Sequence, residues 1–100
     1  MQLDVYICRS PLQLLNCIEA HNKFKSGNKS LLFAAHSVPQ DESLMKKLLE
    51  LYPSWDEVVF FPLYPIFNQI AAVRRFFRRK TQVEKLFIGD STKFINFVIN

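Results

Sequence analysis

Val5-Tyr6-Ile7-Cys8-Arg9-Ser10-Pro11-Leu12-Gln13 is the stretch that decides the fold: an apolar strand stops at a polar corner and a helix begins at once. Ser10, Pro11 and Gln13 have the form of a capping box, with serine at the N-cap, proline at the first helical position and glutamine at N3. A strand feeding straight into a helix is the first half of a βα unit. In open α/β sheets the carboxyl end of such a strand is where ligands bind, so Arg9 and Ser10 stand at the edge expected to carry function. The corner lacks the glycines that let backbone approach a pyrophosphate, which disfavours ordinary NAD or FAD binding. Capping accounts for Ser10 and Gln13 but not for Arg9, because a cation next to a helix N-terminus meets partial positive charge. An anion bound at the corner would make that cation favourable.

Outward from this corner, strands and helices alternate. Residues 3–8 are apolar enough for a strand covered on both faces, although Asp4 suggests that its first residues are exposed. The helix that follows carries Leu14, Cys17, Ile18, His21 and Phe24 at helical spacing and stops at Ser26-Gly27-Asn28, with His21 read as packed structure. Residues 30–35 form the second strand, ending at His36-Ser37. Pro39 or Asp41 opens a second helix, with Ser37 and Gln40 repeating the cap spacing. Its Leu44, Leu48 and Leu51 form one stripe with Met45 and Leu49 beside it, and Pro53 closes it. Residues 55–61 are the third strand, and Pro62-Leu63-Tyr64-Pro65 is a loop stiffened by two prolines. The third helix, 66–81, places Ile66, Ile70, Val73 and Phe77 on one face and Arg75, Arg78 and Arg79 on the other. Residues 86–88 are the fourth strand, and Asp90-Ser91 supplies the cap of a last helix.

This alternation predicts an α/β fold: a Rossmann-like parallel sheet with right-handed crossovers and helices on both faces. Its expected core is Val5, Ile7, Leu14, Ile18, Leu32, Phe33, Leu48, Val59, Phe60, Ile70, Val73, Phe77, Phe87 and Ile88. One hundred residues make one small domain, and 49% hydrophobic residues with ten Phe are a heavy apolar load for it. Such a load is easier to understand if another domain or a second subunit covers part of the surface. The final stretch starts like a helix and finishes without a stop signal, so the chain reads as the first part of a larger protein.

Cys8 and Cys17 are too few for a disulfide scaffold and lack metal-ligand spacing, which leaves buried reduced thiols as the expectation. Neither a secretory leader nor a run of ~18 apolar residues is present, so a cytoplasmic location is expected. A net charge of +4 and a pI of about 9.3 favour an anionic partner without choosing one.

Two constellations carry chemistry. Strand ends should gather Arg9 and Ser10, His36 and Ser37, and Asp90 and Ser91 along one edge of the sheet, where a guanidinium, an imidazole, an acid and hydroxyls could converge. Against this, Ser10, Ser37 and Asp90 each have a second reading as helix caps. The other constellation is Arg74-Arg75-Phe76-Phe77-Arg78-Arg79-Lys80, which reads as an amphipathic helix with a basic solvent face around Arg75, Arg78 and Arg79. That face serves solubility or a peripheral membrane or glycolipid contact, with nucleic acid the least favoured partner. Metal sites, a Ser-His-Asp order and a P-loop are absent, and no cofactor is indicated.

The opening corner also resembles a known family. Val5 to Ala20, with Cys8-Arg9-Ser10-Pro11-Leu12-Gln13-Leu14-Leu15 and the following Glu19-Ala20, is similar to the N-terminal segment of bacterial glycosyltransferase family 52 and its capsule polysialyltransferase relatives. Ser10 stands where that family more commonly has Thr. The stretch from Val83 to Asp90 fits the same pattern in order and spacing. The resemblance implies a two-domain GT-B type glycosyltransferase with CMP-sialic acid as donor and a bacterial surface glycolipid or capsule glycan as acceptor. It implies inversion at the sugar carbon without a metal, by an acidic general base and a basic residue near the donor phosphate. The catalytic residues and the donor-binding half are expected beyond Asn100, so none is assigned here. Arg9, Ser10 and Gln13 fall to the cleft floor or the acceptor side. The alternative is a non-catalytic α/β module for nucleotide binding or partner recognition. A receiver domain is disfavoured, because neither Cys8-Arg9-Ser10 nor Phe60-Phe61-Pro62 supplies its acidic residues.

Overall fold

The computed structural model of the protein describes residues 2–24, 26–62, 67–89 and 94–96. Its elements run β1 (Leu3–Cys8), α1 (Pro11–Lys23), β2 (Lys29–His36), α2 (Pro39–Leu51), β3 (Glu57–Pro62), α3 (Phe67–Arg79), a 3-10 turn (Lys80–Gln82), β4 (Val83–Ile88) and β5 (Phe94–Asn96). The sheet order is β3-β2-β1-β4-β5. The pairs β1 with β2, β1 with β4 and β2 with β3 are parallel, as the alternation of strands and helices requires. The rigid loop expected at 62–65 lies, beyond Pro62, outside the described residues.

Period-two alternation divides the strand side chains between two cores. Tyr6, Cys8, Leu32, Ala34 and Phe87 face Leu14, Cys17 and Ala20 of α1 and Met45 of α2. Leu3, Val5, Leu31, Phe33, Val59 and Val83 face the other way and pack with Ala72 of α3. Helices therefore cover both faces, α1 and α2 on one and α3 on the other.

Several expectations change in the packed chain. Asp4 is buried, not exposed: its carboxylate accepts a hydrogen bond from the Ser26 hydroxyl and another from Asn28 Nδ2 at 3.1 Å. A buried carboxylate is tolerated because these donors replace water. In α2 the core residue is Met45, with Leu48 and Leu49 half-buried, while Leu44 and Leu51 are exposed. The flexible thioether fills the space between α2 and the sheet that the leucine stripe was expected to fill. Trp55 precedes β3 and is buried against the α1 side, stacking on His21 with centroids 4.4 Å apart. His21 is packed structure, its Nδ1 2.8 Å from the Tyr52 hydroxyl.

The largest changes concern α3 and the C-terminal stretch. Ile70, Val73 and Phe77 are exposed, and among the described side chains of α3 it is buried Ala72 and half-buried Phe76 that pack against the sheet core. Small Ala72 allows close approach of the helix, and the Phe76 ring meets Phe33 edge to face. The expected last helix is replaced at 94–96 by β5, antiparallel to β4, with Phe87 opposite Phe94. Aromatic and β-branched residues favour a strand there. The intervening stretch 89–93 is also shorter than the dozen or so residues that a parallel crossover needs.

Candidate functional site

The chain runs outward from β1 through β2 to β3, then crosses by α3 to place β4 on the other side of β1. The strand order reverses between β1 and β4, and the carboxyl ends of these two strands are where an open α/β sheet forms its ligand crevice. Cys8-Arg9-Ser10 closes β1 there, and Ile88-Gly89 closes β4.

The corner is built by reciprocal capping. Ser10 is the N-cap, with extended backbone at φ −157°, and its hydroxyl accepts from the Gln13 N–H at 3.2 Å. The Gln13 side chain reaches back, and its Oε1 accepts from the Arg9 N–H at 2.8 Å, one residue before the usual partner in a capping box. Ser10 and Gln13 are thus occupied with holding the turn. Arg9 is exposed, and among the described residues its guanidinium has no acidic partner.

Two residues of this corner escaped the sequence reading. Gly89 is buried; its N–H donates to the Ile7 carbonyl at 2.7 Å, and its carbonyl accepts from Asn16 Nδ2 at 2.8 Å. A Cβ on Gly89 would lie 2.6 Å from the Gln13 carbonyl oxygen and 2.9 Å from the Gln13 Cβ. The first turn of α1 is therefore clamped against the end of β4. The available signal was that Gly89, one of only two glycines in the chain, follows directly on a strand.

Arg9 also stands at the rim of an apolar groove of about 300 Å³ on the α3 side of the sheet, between Ile7, Phe33, Ala35 and Phe61 of the strands and Phe77 of α3. His36 does not join it. At the end of β2 the imidazole packs over the Phe60 ring, centroids 4.9 Å apart, with Nε2 3.8 Å from Glu42 Oε1. Phe60 belongs to the α1 and α2 side of the sheet. The pleat thus sends Arg9 and His36 to opposite faces, and the edge expected to gather them is split in two. Lys46, hydrogen-bonded to Glu42 at 2.9 Å, and to a lesser degree His36 hold the Glu42 carboxyl below its ordinary value. Ser37 is exposed and caps nothing: the N-cap of α2 is Val38, without a side-chain cap bond, because Pro39 already occupies the first helical position. Asp90 and Ser91 lie outside the described residues.

Among the described residues, no three His, Cys, Asp or Glu side chains gather as metal ligands would. Cys8 and Cys17 are buried free thiols, and the Cys17 thiol is pushed well up by its hydrogen bond with Cys8 and by burial. On the basic face Arg75 and Arg78 are exposed, together with Arg74. Arg79 instead lies partly inward and forms an ion pair with Glu57 at the start of β3, so it leaves the expected anion-binding set. Among the described residues, no helix is long and apolar enough to cross a membrane.

Comparison with family models, with curated proteins and with solved structures finds no match to this chain. The functional reading rests on the residues themselves.

Proposed function

We propose that this chain is the N-terminal, Rossmann-like domain of a GT-B type glycosyltransferase of the family 52 kind. It would transfer a sugar from a nucleotide-sugar donor, CMP-sialic acid on the resemblance, to a glycolipid or capsule glycan, working in the cytoplasm at the inner membrane. The observation that supports this reading is the exposed Arg9 guanidinium at the β1/β4 switch point, on a turn held by Ser10 and Gln13. In this reading Arg9 lends a charge-assisted hydrogen bond to an anionic group on the acceptor side of the cleft, and Gly89 and Asn16 hold its turn against β4. The general base and the donor-phosphate contact belong to the second domain.

The test is a paired measurement on the complete protein with CMP-sialic acid and a galactose-terminated acceptor. Arg9→Ala is expected to leave the melting temperature unchanged and to lower kcat/KM by roughly 10- to 100-fold, the value of one hydrogen bond to a charged group. A fully active Arg9→Ala enzyme would reduce the corner to a helix cap. Absence of sugar transfer by the complete protein would leave the non-catalytic module, which the engagement of both Ser10 and Gln13 in capping favours.

A further inference from the structure

α3 carries more on its exposed side than a basic solvent face. Ile70, Val73 and Phe77 recur along one stripe and are 52%, 50% and 58% exposed: Ala72 and Phe76 make the close contact with the sheet, and Val73 and Phe77 stand at the open mouth of the groove beside it. Beside this stripe stand Arg74, Arg75 and Arg78, all exposed, and Ile70, Ala71 and these three arginines line a shallow hollow on the outer surface. Ile70 thus shares the outer surface with the three arginines, and Val73 and Phe77 flank it at the mouth of the groove between α3 and the sheet. α3 contains no Asp or Glu, and among the described residues the carboxylate that engages it, Glu57, is held by Arg79.

We infer that this outward face of α3 docks on an anionic phospholipid bilayer, with Ile70, Val73 and Phe77 entering the acyl boundary and Arg74, Arg75 and Arg78 lying on the headgroup phosphates. The choice of occupant follows from charge. An apolar stripe alone would suit a protein partner or a second copy of the chain, but a second copy would bring its own arginines against these and repel them. A bilayer rich in anionic lipid satisfies both halves of the surface: interfacial helices bind by buried apolar area plus attraction between basic residues and acidic headgroups. The same juxtaposition accounts for three large apolar side chains left half in water on a small domain. This inference goes beyond sugar transfer and does not depend on it.

The experiment is co-sedimentation of the full chain with vesicles of phosphatidylcholine alone and of phosphatidylcholine containing about 30% phosphatidylglycerol, at low and high salt. Expected is binding to the anionic vesicles only, weakened by salt. Each basic residue at such a surface strengthens association about fivefold, so replacing Arg74, Arg75 and Arg78 together with Gln should weaken it by roughly a hundredfold. The triple change Ile70→Ser, Val73→Ser and Phe77→Ser should also release the protein; it lowers the melting temperature, since Phe77 packs edge to face on Phe76, so binding is read well below the variant's own transition. Lys46→Gln and Lys47→Gln on α2, across the sheet, should leave binding unchanged. Equal binding of the arginine variant and the wild type to anionic vesicles would overturn the inference. So would equal binding of the wild type to neutral vesicles, or a solution dimer that Phe77→Ser dissociates in a protein that ignores vesicles.

Discussion

Replacing Gly89 with Ala tests whether the close approach of β4 to α1 builds the corner. Gly89 does not have the positive φ that would itself demand glycine; among the described residues only Gly27 does, at 86°. Its requirement is space. The added methyl would sit 2.6 Å from a backbone carbonyl oxygen and 2.9 Å from a Cβ, both of Gln13, and neither belongs to the movable end of a side chain. To accept it, the first turn of α1 must shift, and with it the caps that Ser10 and Gln13 form. Overpacking of this kind costs about 1–3 kcal/mol. The Asn16 to Gly89 hydrogen bond, stretched by the same movement, adds about 1 kcal/mol. Thermal unfolding followed by circular dichroism should then show the melting temperature of Gly89→Ala lower by at least ~8 °C, given about 4–8 °C per kcal/mol in a domain of this size. Gly27→Ala is the control with the opposite cause: nothing stands within 4 Å of its added Cβ, so its loss of ~1 kcal/mol comes from backbone conformation alone. A Gly89→Ala protein melting within about 2 °C of the wild type would show that α1 slides away freely and that the clamp does not exist.

Ser10→Ala removes the acceptor for the Gln13 N–H and should destabilise the domain by ~1 kcal/mol in urea titrations, whatever its effect on activity. Both cysteines should resist an aromatic disulfide reagent in the native protein and react only on unfolding, since each is buried and the Cys17 thiol is held protonated; rapid reaction without denaturant would contradict this. Glu42 should titrate below an ordinary glutamate by NMR, and Lys46→Met should move its midpoint back up. The sign follows from linkage: a carboxyl whose folded value is depressed stabilises the fold above its unfolded value and loses that contribution as pH falls through the folded one, so this pair matters only on the acid side.

The sequence alone determined the βα rhythm and the corner. Apolar runs bounded by Ser-Pro, by glycine and by proline are local signals, and they marked β1, α1, β2 and β3 to within a few residues. The Ser10 cap was legible because it depends on groups three residues apart. Choices among equally apolar faces were not legible. Both Ile70-Val73-Phe77 and Ala72-Phe76 are helical stripes on α3, and the sheet took the second because a small residue brings the helix closer than a row of large ones does. Met45 displaced Leu44 and Leu51 in α2 for a similar reason of shape. The partners of Asp4 come from the turn after α1, with Asn28 also reaching Glu84 on β4, and nothing near Asp4 in the sequence announces them. The division of the candidate site was likewise a tertiary outcome. Arg9 and His36 both end strands at one edge, but the pleat directs one toward α3 and the other toward α2, and only strands set in register decide which side chain faces which way.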